Sequence, residues 1–319
     1  MMRSGRFWYS FCWALLLVSL CASLSPAAVI GDYRSVSIPC RDKGGTLQLA
    51  IRSFTRNGLL FYLLVDPKTL KSSIEPSSSL IATPLDADKL AATPFAMLLA
   101  RSTTAPVRLQ NDGITHAQKP IGGQVLTIDL CPSRRPTERS MFEALAAIAR
   151  KTGKPTPIAV CITGVWLAAH RTDLDWLLEK EKRRELAITW VNHSFSHFYD
   201  PAIPLAKNFL LAAGTDFRRQ VLANEQAMLE NNLVPSPFFR FPGLVSDSKL
   251  IALLREYSLI PLGADAWLAK GEPPHTGSII LVHGNGNEPK GIAKLMPLIT
   301  GAEPLHLFSL EEAMTGNTH

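Results

Sequence analysis

The sequence Asn-His-Ser-Phe-Ser-His-Phe occupies residues 192–198 and holds two histidines, His193 and His197, four positions apart. In one turn of helix this spacing would put both imidazoles on the same face. Two imidazoles that converge from one face are a common half of a zinc-type metal site. A surface turn whose histidines have no role is the alternative interpretation of the same residues.

The segment before the two histidines favours the metal site. Residues 186–191 form a short apolar, β-rich run that is typical of a buried strand. Because α/β proteins hold their sites at the carboxyl ends of parallel strands, this strand would deliver His193 and His197 to such a site.

From residue 121 onward, strand-like runs alternate with helical patterns. The predicted strands are Gln124–Leu130, Pro157–Ile162, Leu186–Val191, Phe238–Phe241, Leu259–Gly263, Ser278–His283 and a last one near His306–Phe308. Parallel βαβ units produce this alternation, so we expect an irregular, incomplete (β/α) barrel of about seven parallel strands. The sequence contains no Gly-x-Gly-x-x-Gly loop and no phosphate loop, so no nucleotide cofactor is expected.

Polar residues stand at or near the ends of five predicted strands. In chain order they are Asp129, His193 with His197, Arg240, Asp265 and His283. One such residue is usually structural, whereas a series at successive strand ends forms a credible hydrolytic constellation.

This order of residues resembles the polysaccharide deacetylases with a NodB-homology domain, carbohydrate esterase family 4. Their pattern runs Thr-Phe-Asp-Asp-Gly, His-Ser/Thr-x-x-His, Arg-x-Pro, Asp followed by Trp, and Leu-x-His. The second and last elements match without adjustment at residues 193–197 and 281–283, and the resemblance covers residues 122–314.

The resemblance implies a role for each matching residue. Asp129 would be the base that activates water, and Arg240 would orient it. His193 and His197 would bind a divalent metal, which is zinc in most of the family and cobalt or nickel in some members. The other implied roles are an oxyanion donor at the amide of Gly243, an acid at His283, its charge partner at Asp265, and an acetyl pocket lined by Trp267 and Leu281.

Two positions depart from the family pattern. Leu130 stands where the family has its second Asp, which is normally a metal ligand, and Ala266 separates Asp265 from Trp267. Leucine cannot bind a metal, so the protein ligands fall to two histidines unless another group substitutes. Members without the second Asp form a recognisable subset of the family, so Leu130 does not by itself indicate an inactive enzyme.

The expected function is therefore metal-dependent removal of N-acetyl groups from 2-acetamido sugars in an exported or cell-envelope polysaccharide, with release of acetate. Two alternatives stay open. One is a non-catalytic glycan-binding protein on the same fold, and the other is an amidohydrolase for a small non-sugar amide.

Residues 1–28 have the pattern of a secretory signal peptide. Arg3 and Arg6 precede an apolar core at Phe11–Leu20, and small residues follow at Ser25–Ala28. We expect export to the periplasm or the extracellular space. An uncleaved segment, which would hold the protein at a membrane, is the alternative.

Residues 29–120 are predicted to form a small N-terminal module or extension, and residues 121–319 the deacetylase-like catalytic domain. Leu59–Val65 is a predicted strand, Ile74–Pro84 a predicted loop, and Pro94–Arg101 a short helix or strand. Since the module shows no convergent set of polar residues, we expect it to be dispensable for the chemistry.

Composition narrows the class of protein. The chain has 319 residues, of which 46% are hydrophobic and 19% charged, as in ordinary globular proteins. Its net charge of +6, without a basic run interleaved with aromatics, does not indicate nucleic-acid binding. Outside the signal segment the cysteines are Cys40, Cys131 and Cys161, and no Cys-x-x-Cys spacing exists, so a cysteine metal cluster is not expected.

Overall fold

The structure is a computed structural model that describes residues 29–83 and 87–316. The predicted signal peptide lies outside the described residues. In the described part of the chain, none of the helices has the length and apolar character needed to span a bilayer.

A seven-stranded parallel sheet forms the larger part of the molecule. Its strands are β6 (Val125–Leu130), β7 (Thr156–Ile162), β8 (Leu186–Asn192), β9 (Phe238–Phe239), β10 (Ile260–Pro261), β11 (Ala266–Trp267) and β12 (Ile279–His283), in the spatial order β10-β9-β8-β7-β6-β12-β11. The sheet curls into an incomplete barrel, so the predicted fold class is confirmed.

Strand β6 shows why the central strands are apolar throughout. All of its residues are buried, because the strand is covered on both faces. Leu126, Ile128 and Leu130 pack against the helices outside the barrel. Val125 lies on the opposite, inner face, and strand alternation places Thr127 and Asp129 on that face with it.

Helices follow the strands of the barrel along the chain, and the last two of them come after β12. They are α3 (Arg139–Thr152), α4 (Gly164–Ala169), α5 (Arg171–Lys182), α6 (Phe217–Glu230), α7 (Ser248–Glu256), α8 (Pro289–Thr300) and α9 (Leu310–Thr315). Side chains cap several of these helices: Thr163 caps α4, Asp216 caps α6 and Asp247 caps α7, each by accepting a bond from a backbone N–H of the first turn.

The N-terminal part of the chain forms a second, antiparallel sheet. Its strands are β1 (Ile30–Arg41), β2 (Leu47–Arg56), β3 (Leu59–Val65), β4 (Ser72–Pro76) and β5 (Ile81–Ala82), in the spatial order β4-β3-β2-β1-β5. Two short helices follow, α1 (Ala87–Ala91) and α2 (Pro94–Ser102).

The N-terminal sheet packs against the inside of the barrel. Ile51 and Phe54 of β2 belong to the same hydrophobic cluster as Val191 of β8 and Leu281 of β12. A buried ion pair adds to this contact, with Arg52 Nε 2.6 Å from a carboxylate oxygen of Glu225 in α6. The two parts of the chain therefore share one core.

Two local predictions are wrong, and a third segment, left open between helix and strand, proves to be a helix. Residues 306–308 form no strand but a single bridge between Leu307 and Gln124, and the seventh strand is β11 instead. The predicted loop at Ile74–Pro84 contains strand β5 and the end of β4. The ambiguous segment at Pro94 is helix α2, whose Thr93 cap was not recognised in the sequence.

Candidate active site

The carboxyl ends of β6, β8 and β12 define the site; β12 lies next to β6, and β7 separates β6 from β8. β6 ends beside Asp129, β8 leads into His193, and β12 ends at His283. His283 and Asp129 are register partners on adjacent parallel strands, so their backbones lie about 4.8 Å apart. The predicted clustering of these residues at one end of the sheet is thus present in the structure.

Arg240 holds Asp129 in place. Its Nη1 donates to Asp129 Oδ1 at 2.9 Å and to Thr127 Oγ1 at 2.6 Å, while Nη2 donates to the carbonyl of Gly263. Burial alone would raise the pKa of Asp129, but the positive charge of Arg240, aided by His193 and His283, lowers it to about 2. The carboxylate is therefore ionised and fixed in orientation.

His193 and His197 converge, although not as one turn of helix. Residues 193–197 form a loop in which Ser194 and His197 have positive φ angles of 67° and 49°. The two ring centroids are 4.9 Å apart. The helical interpretation of the spacing is wrong, but the convergence that it was meant to explain is present.

A buried amide network shapes this loop. Asn192 accepts a bond from the backbone N–H of Ser194 at 3.0 Å and another from Asn224 Nδ2 at 2.7 Å. Phe209 meets the ring of His197 edge-on at 5.6 Å. These contacts hold the loop in a conformation that local propensity alone would not select.

The tautomer of His193 leaves one nitrogen available. Its Nδ1 lies 2.8 Å from the carbonyl oxygen of Arg240, which can only accept, so Nδ1 carries the proton. In the neutral form of the ring, Nε2 then presents a lone pair toward the site. A hydrogen bond from one ring nitrogen to a carbonyl is the usual support of a metal-binding histidine.

Cys131 joins the two histidines, which the sequence spacing did not predict. Its Sγ lies 3.5 Å from His193 Nε2, and the donor atoms of Cys131, His193 and His197 all lie within 4.8 Å of one another. Burial on its own would raise the pKa of the thiol, but His197, His283 and His193 lower it well below its usual value. Two imidazoles and a thiol that ionises readily suit a divalent metal.

Leu130 faces away from this cluster. It is fully buried among Met141 and Phe142 of α3, on the helix side of the sheet. The position that the resemblance aligned with the second Asp therefore points into the core, and Cys131, one residue later, points into the site.

His283 pairs with Glu288 rather than with Asp265. His283 Nδ1 lies 2.8 Å from Glu288 Oε2, at an angle that departs from ideal hydrogen-bond geometry, and Trp267 Nε1 donates to the same oxygen at 2.8 Å. Burial would lower the pKa of His283, but Cys131 and Glu288 raise it well above its usual value. Sequence analysis missed Glu288, because it stands in the turn between β12 and α8 instead of ending a strand.

Asp265 lies at the amino end of β11, away from the carboxyl ends where a charge partner of His283 would be expected. It stands before β11, where its Oδ1 accepts a bond from the backbone N–H of Ile279 at the start of β12. Its Oδ2 lies 2.6 Å from Nδ1 of His116, which precedes the barrel strands in the chain. The predicted pairing of Asp265 with His283 is wrong.

Of the remaining predicted residues, Gly243 and Trp267 lie near the site, whereas Leu281 lies in the core. Gly243 has a φ of 61°, and a Cβ there would come within 2.4 Å of the Phe209 ring, so this position requires glycine. Trp267 lies beside His283, with ring centroids 6.3 Å apart. Leu281 is only 1% exposed and packs in the core shared with the N-terminal sheet.

Comparison with known proteins gives one family match. The family described as RP012 protein N-terminal domain matches residues 31–93, which form most of the N-terminal sheet.

Solved structures with a similar fold are family 4 carbohydrate esterases. One from Bacillus anthracis is 19% identical, covers 71% of this chain and 94% of its own, and has a TM-score of 0.45. The chitin deacetylase from the fungal pathogen Colletotrichum lindemuthianum is 14% identical, covers 64% and 92%, and has a TM-score of 0.44. A family 4 pseudoenzyme from Bacillus anthracis is 13% identical, covers 65% and 70%, and has a TM-score of 0.42.

Proposed function

We propose that the protein is a metal-dependent hydrolase that removes N-acetyl groups from 2-acetamido sugars of an exported or cell-envelope polysaccharide. Water and the acetamide would give acetate and a free amine. The observation that supports this most is the position of a carboxylate, Asp129, and an imidazole, His283, on adjacent strands beside the Cys131, His193 and His197 donors.

Asp129 would take a proton from water as the water oxygen bonds to the acetyl carbon. A carboxylate with a pKa of about 2 is a weak base for the proton of water. The hydrogen bond from Arg240 keeps it ionised and fixes its orientation. A divalent metal bound by His193 and His197 would lower the pKa of the attacking water and polarise the carbonyl.

His283 would donate a proton to the nitrogen as the carbon–nitrogen bond breaks. Cys131 and Glu288 raise its pKa, which favours the protonated form that an acid needs, and Glu288 fixes the ring. Under this proposal the amide of Gly243 stabilises the oxyanion and Trp267 borders the acetyl group, whereas Leu281, buried in the core, supports the wall of the site from behind. Export rests on the signal-peptide pattern of residues 1–28.

The test is an acetate-release screen over N-acetylated glycans, including chitin oligomers, peptidoglycan and exopolysaccharide, with and without added zinc or cobalt. Asp129→Asn should lower the rate by about 10²-fold or more, because it removes the base and keeps the shape. Asp265→Asn is the matched control and should retain most of the rate, since this carboxylate pairs with His116.

Two results would contradict the proposal. An Asp129→Asn protein within a few-fold of the unmodified protein would remove Asp129 from the chemistry. Tight glycan binding without acetate release under any metal condition would favour the glycan-binding alternative.

A further inference from the structure

We propose that Cys131 is the third protein ligand of the metal, so that one thiolate and two imidazoles hold it. This inference rests on the metal dependence proposed above and identifies the group that substitutes for the missing carboxylate. The observation that supports the inference is the position of the Cys131 sulfur close to the imidazoles of His193 and His197.

The distance between sulfur and nitrogen fits a shared metal. A tetrahedral zinc with bonds of about 2.3 Å to sulfur and about 2.0 Å to nitrogen separates those two atoms by about 3.5 Å. Cys131 Sγ and His193 Nε2 are 3.5 Å apart. His197 completes a set whose atoms lie within 4.8 Å of one another, so small side-chain movements close the site.

The surrounding bonds favour ligation by these atoms. The carbonyl of Cys131 accepts a bond of 2.6 Å from the buried Asn285, which fixes the backbone that carries the sulfur. His193 already has its Nδ1 proton committed to the carbonyl of Arg240. Such supports orient metal ligands before the metal arrives.

Asp129 is a weaker candidate for the third position. Its Oδ2 lies 3.6 Å from His193 Nε2, but it does not belong to the set of donors that all lie within reach of one another. Its other oxygen is bound by Arg240. Ligation by Cys131 leaves Asp129 free to act on water.

Ligation by sulfur changes which metal the site prefers. A thiolate supplies the negative charge that Leu130 cannot, and as a soft ligand it favours zinc and cobalt over magnesium and manganese. The protein should therefore bind zinc at least as tightly as a site with a carboxylate in its place.

A nucleophilic role for Cys131 is the rival explanation. His283 and Glu288 follow the thiol in the arrangement used by cysteine hydrolases, in which an imidazole is oriented by a third group. Two further imidazoles beside the same sulfur have no purpose in that mechanism, whereas ligation of a metal uses both.

The primary test is the absorption spectrum of the purified protein loaded with cobalt. Thiolate ligation should give a near-ultraviolet charge-transfer band that is absent from Cys131→Ser and Cys131→Asp. Cys40→Ser removes a buried thiol in the N-terminal sheet and should keep the band. Zinc affinity should fall tenfold or more in Cys131→Ser and by less in Cys131→Asp, which retains a ligand.

A second measurement needs no variant. Zinc should protect Cys131 from alkylation by iodoacetamide, and removal of zinc should restore the reaction, as followed by mass spectrometry of the peptide. Equal alkylation rates with and without zinc, or a cobalt band that persists in Cys131→Ser, would overturn the proposal. So would an acetyl thioester trapped on Cys131 in metal-free protein, which would establish the nucleophile instead.

These readouts separate the two proposals. A charge-transfer band in a protein that releases no acetate would support the ligand and contradict the deacetylase. Metal-dependent acetate release without the band would support the deacetylase and contradict the ligand.

Discussion

A single residue step along β6 decides which side chain enters the site. Leu130 and Cys131 are adjacent, but strand alternation sends the first into the helix layer and the second toward the histidines. The sequence predicted Asp129, Arg240, His193 and His197 at one place because each ends or follows a strand. Cys131 was missed because a lone cysteine has no spacing signature, and its partners lie more than 60 residues away.

Leu130→Asp is expected to destabilise the fold by more than about 3 kcal/mol, because it buries an unpaired charge among Met141 and Phe142. Leu130→Met, which conserves volume, should cost less than about 1.5 kcal/mol. Urea unfolding of both variants provides the measurement. A folded Leu130→Asp protein with tighter zinc binding would mean that this position faces the metal after all.

At the scale of elements, long periodic segments were predictable and short ones were not. The strands β6, β7, β8 and β12 and the helices around them were found within a few residues, because burial on two faces gives an apolar run. Strand β11 has two residues, too few for any period. Its omission shifted Asp265 to the wrong end of a strand and hid the role of Glu288.

Glu288→Gln should lower kcat tenfold or more while changing KM little, because Glu288 orients the acid and does not bind substrate. Glu288 raises the pKa of His283, so its removal lowers that pKa. Since the acid must be protonated, the high-pH limb of the rate profile should move to lower pH. An unchanged limb, or an equal effect of Asp265→Asn, would argue against this pairing.

The loop after β8 carries an aromatic surface beside the histidines. Tyr199 is 55% exposed and stacks on Phe209 with centroids 5.0 Å apart, and Phe209 contacts His197. Sugar rings present apolar faces to aromatic side chains, so under the proposed function Tyr199 would contact a neighbouring sugar of the polymer. The rigid stack on Phe209 would reduce the entropy lost on binding.

Tyr199→Ala should therefore lower kcat/KM about tenfold on an N-acetylated oligosaccharide and leave hydrolysis of a small acetyl ester nearly unchanged. Tyr199→Phe keeps the ring and is the control. Comparison of both substrates with each variant is the measurement. An equal loss on both substrates would show that the ring supports the site itself rather than the polymer.

At the scale of the whole molecule, the two sheets depend on each other. Ile51 and Phe54 share a core with Val191 and Leu281, and Arg52 pairs with Glu225 in full burial. The sequence led us to expect that residues 29–120 are dispensable for chemistry, since no polar set was visible there. The pattern of apolar residues in a strand does not indicate which surface the strand will pack against. The sequence therefore could not predict that the N-terminal sheet covers the barrel.

A chain that begins at Lys119 is now expected to lose cooperative unfolding, because the inner face of the barrel would be open to water. Circular dichroism during thermal unfolding, with acetate release as a second readout, tests this. The intact protein is the reference. A sharp transition together with full activity in the shortened chain would restore the original expectation.

Because the core contains residues from both ends of the described chain, folding can be completed only after the C-terminal part has been synthesised. Arg52 contacts Glu225 and the carbonyl of Tyr257, partners that are 173 and 205 residues further along the chain. Contacts of such long sequence separation slow folding. During synthesis the apolar face of the N-terminal sheet remains exposed to solvent until the ribosome has made the barrel strands and α6. The nascent chain therefore spends that interval prone to aggregation, and a chaperone that shields the face of Phe54 and Leu63 should raise the yield of folded protein.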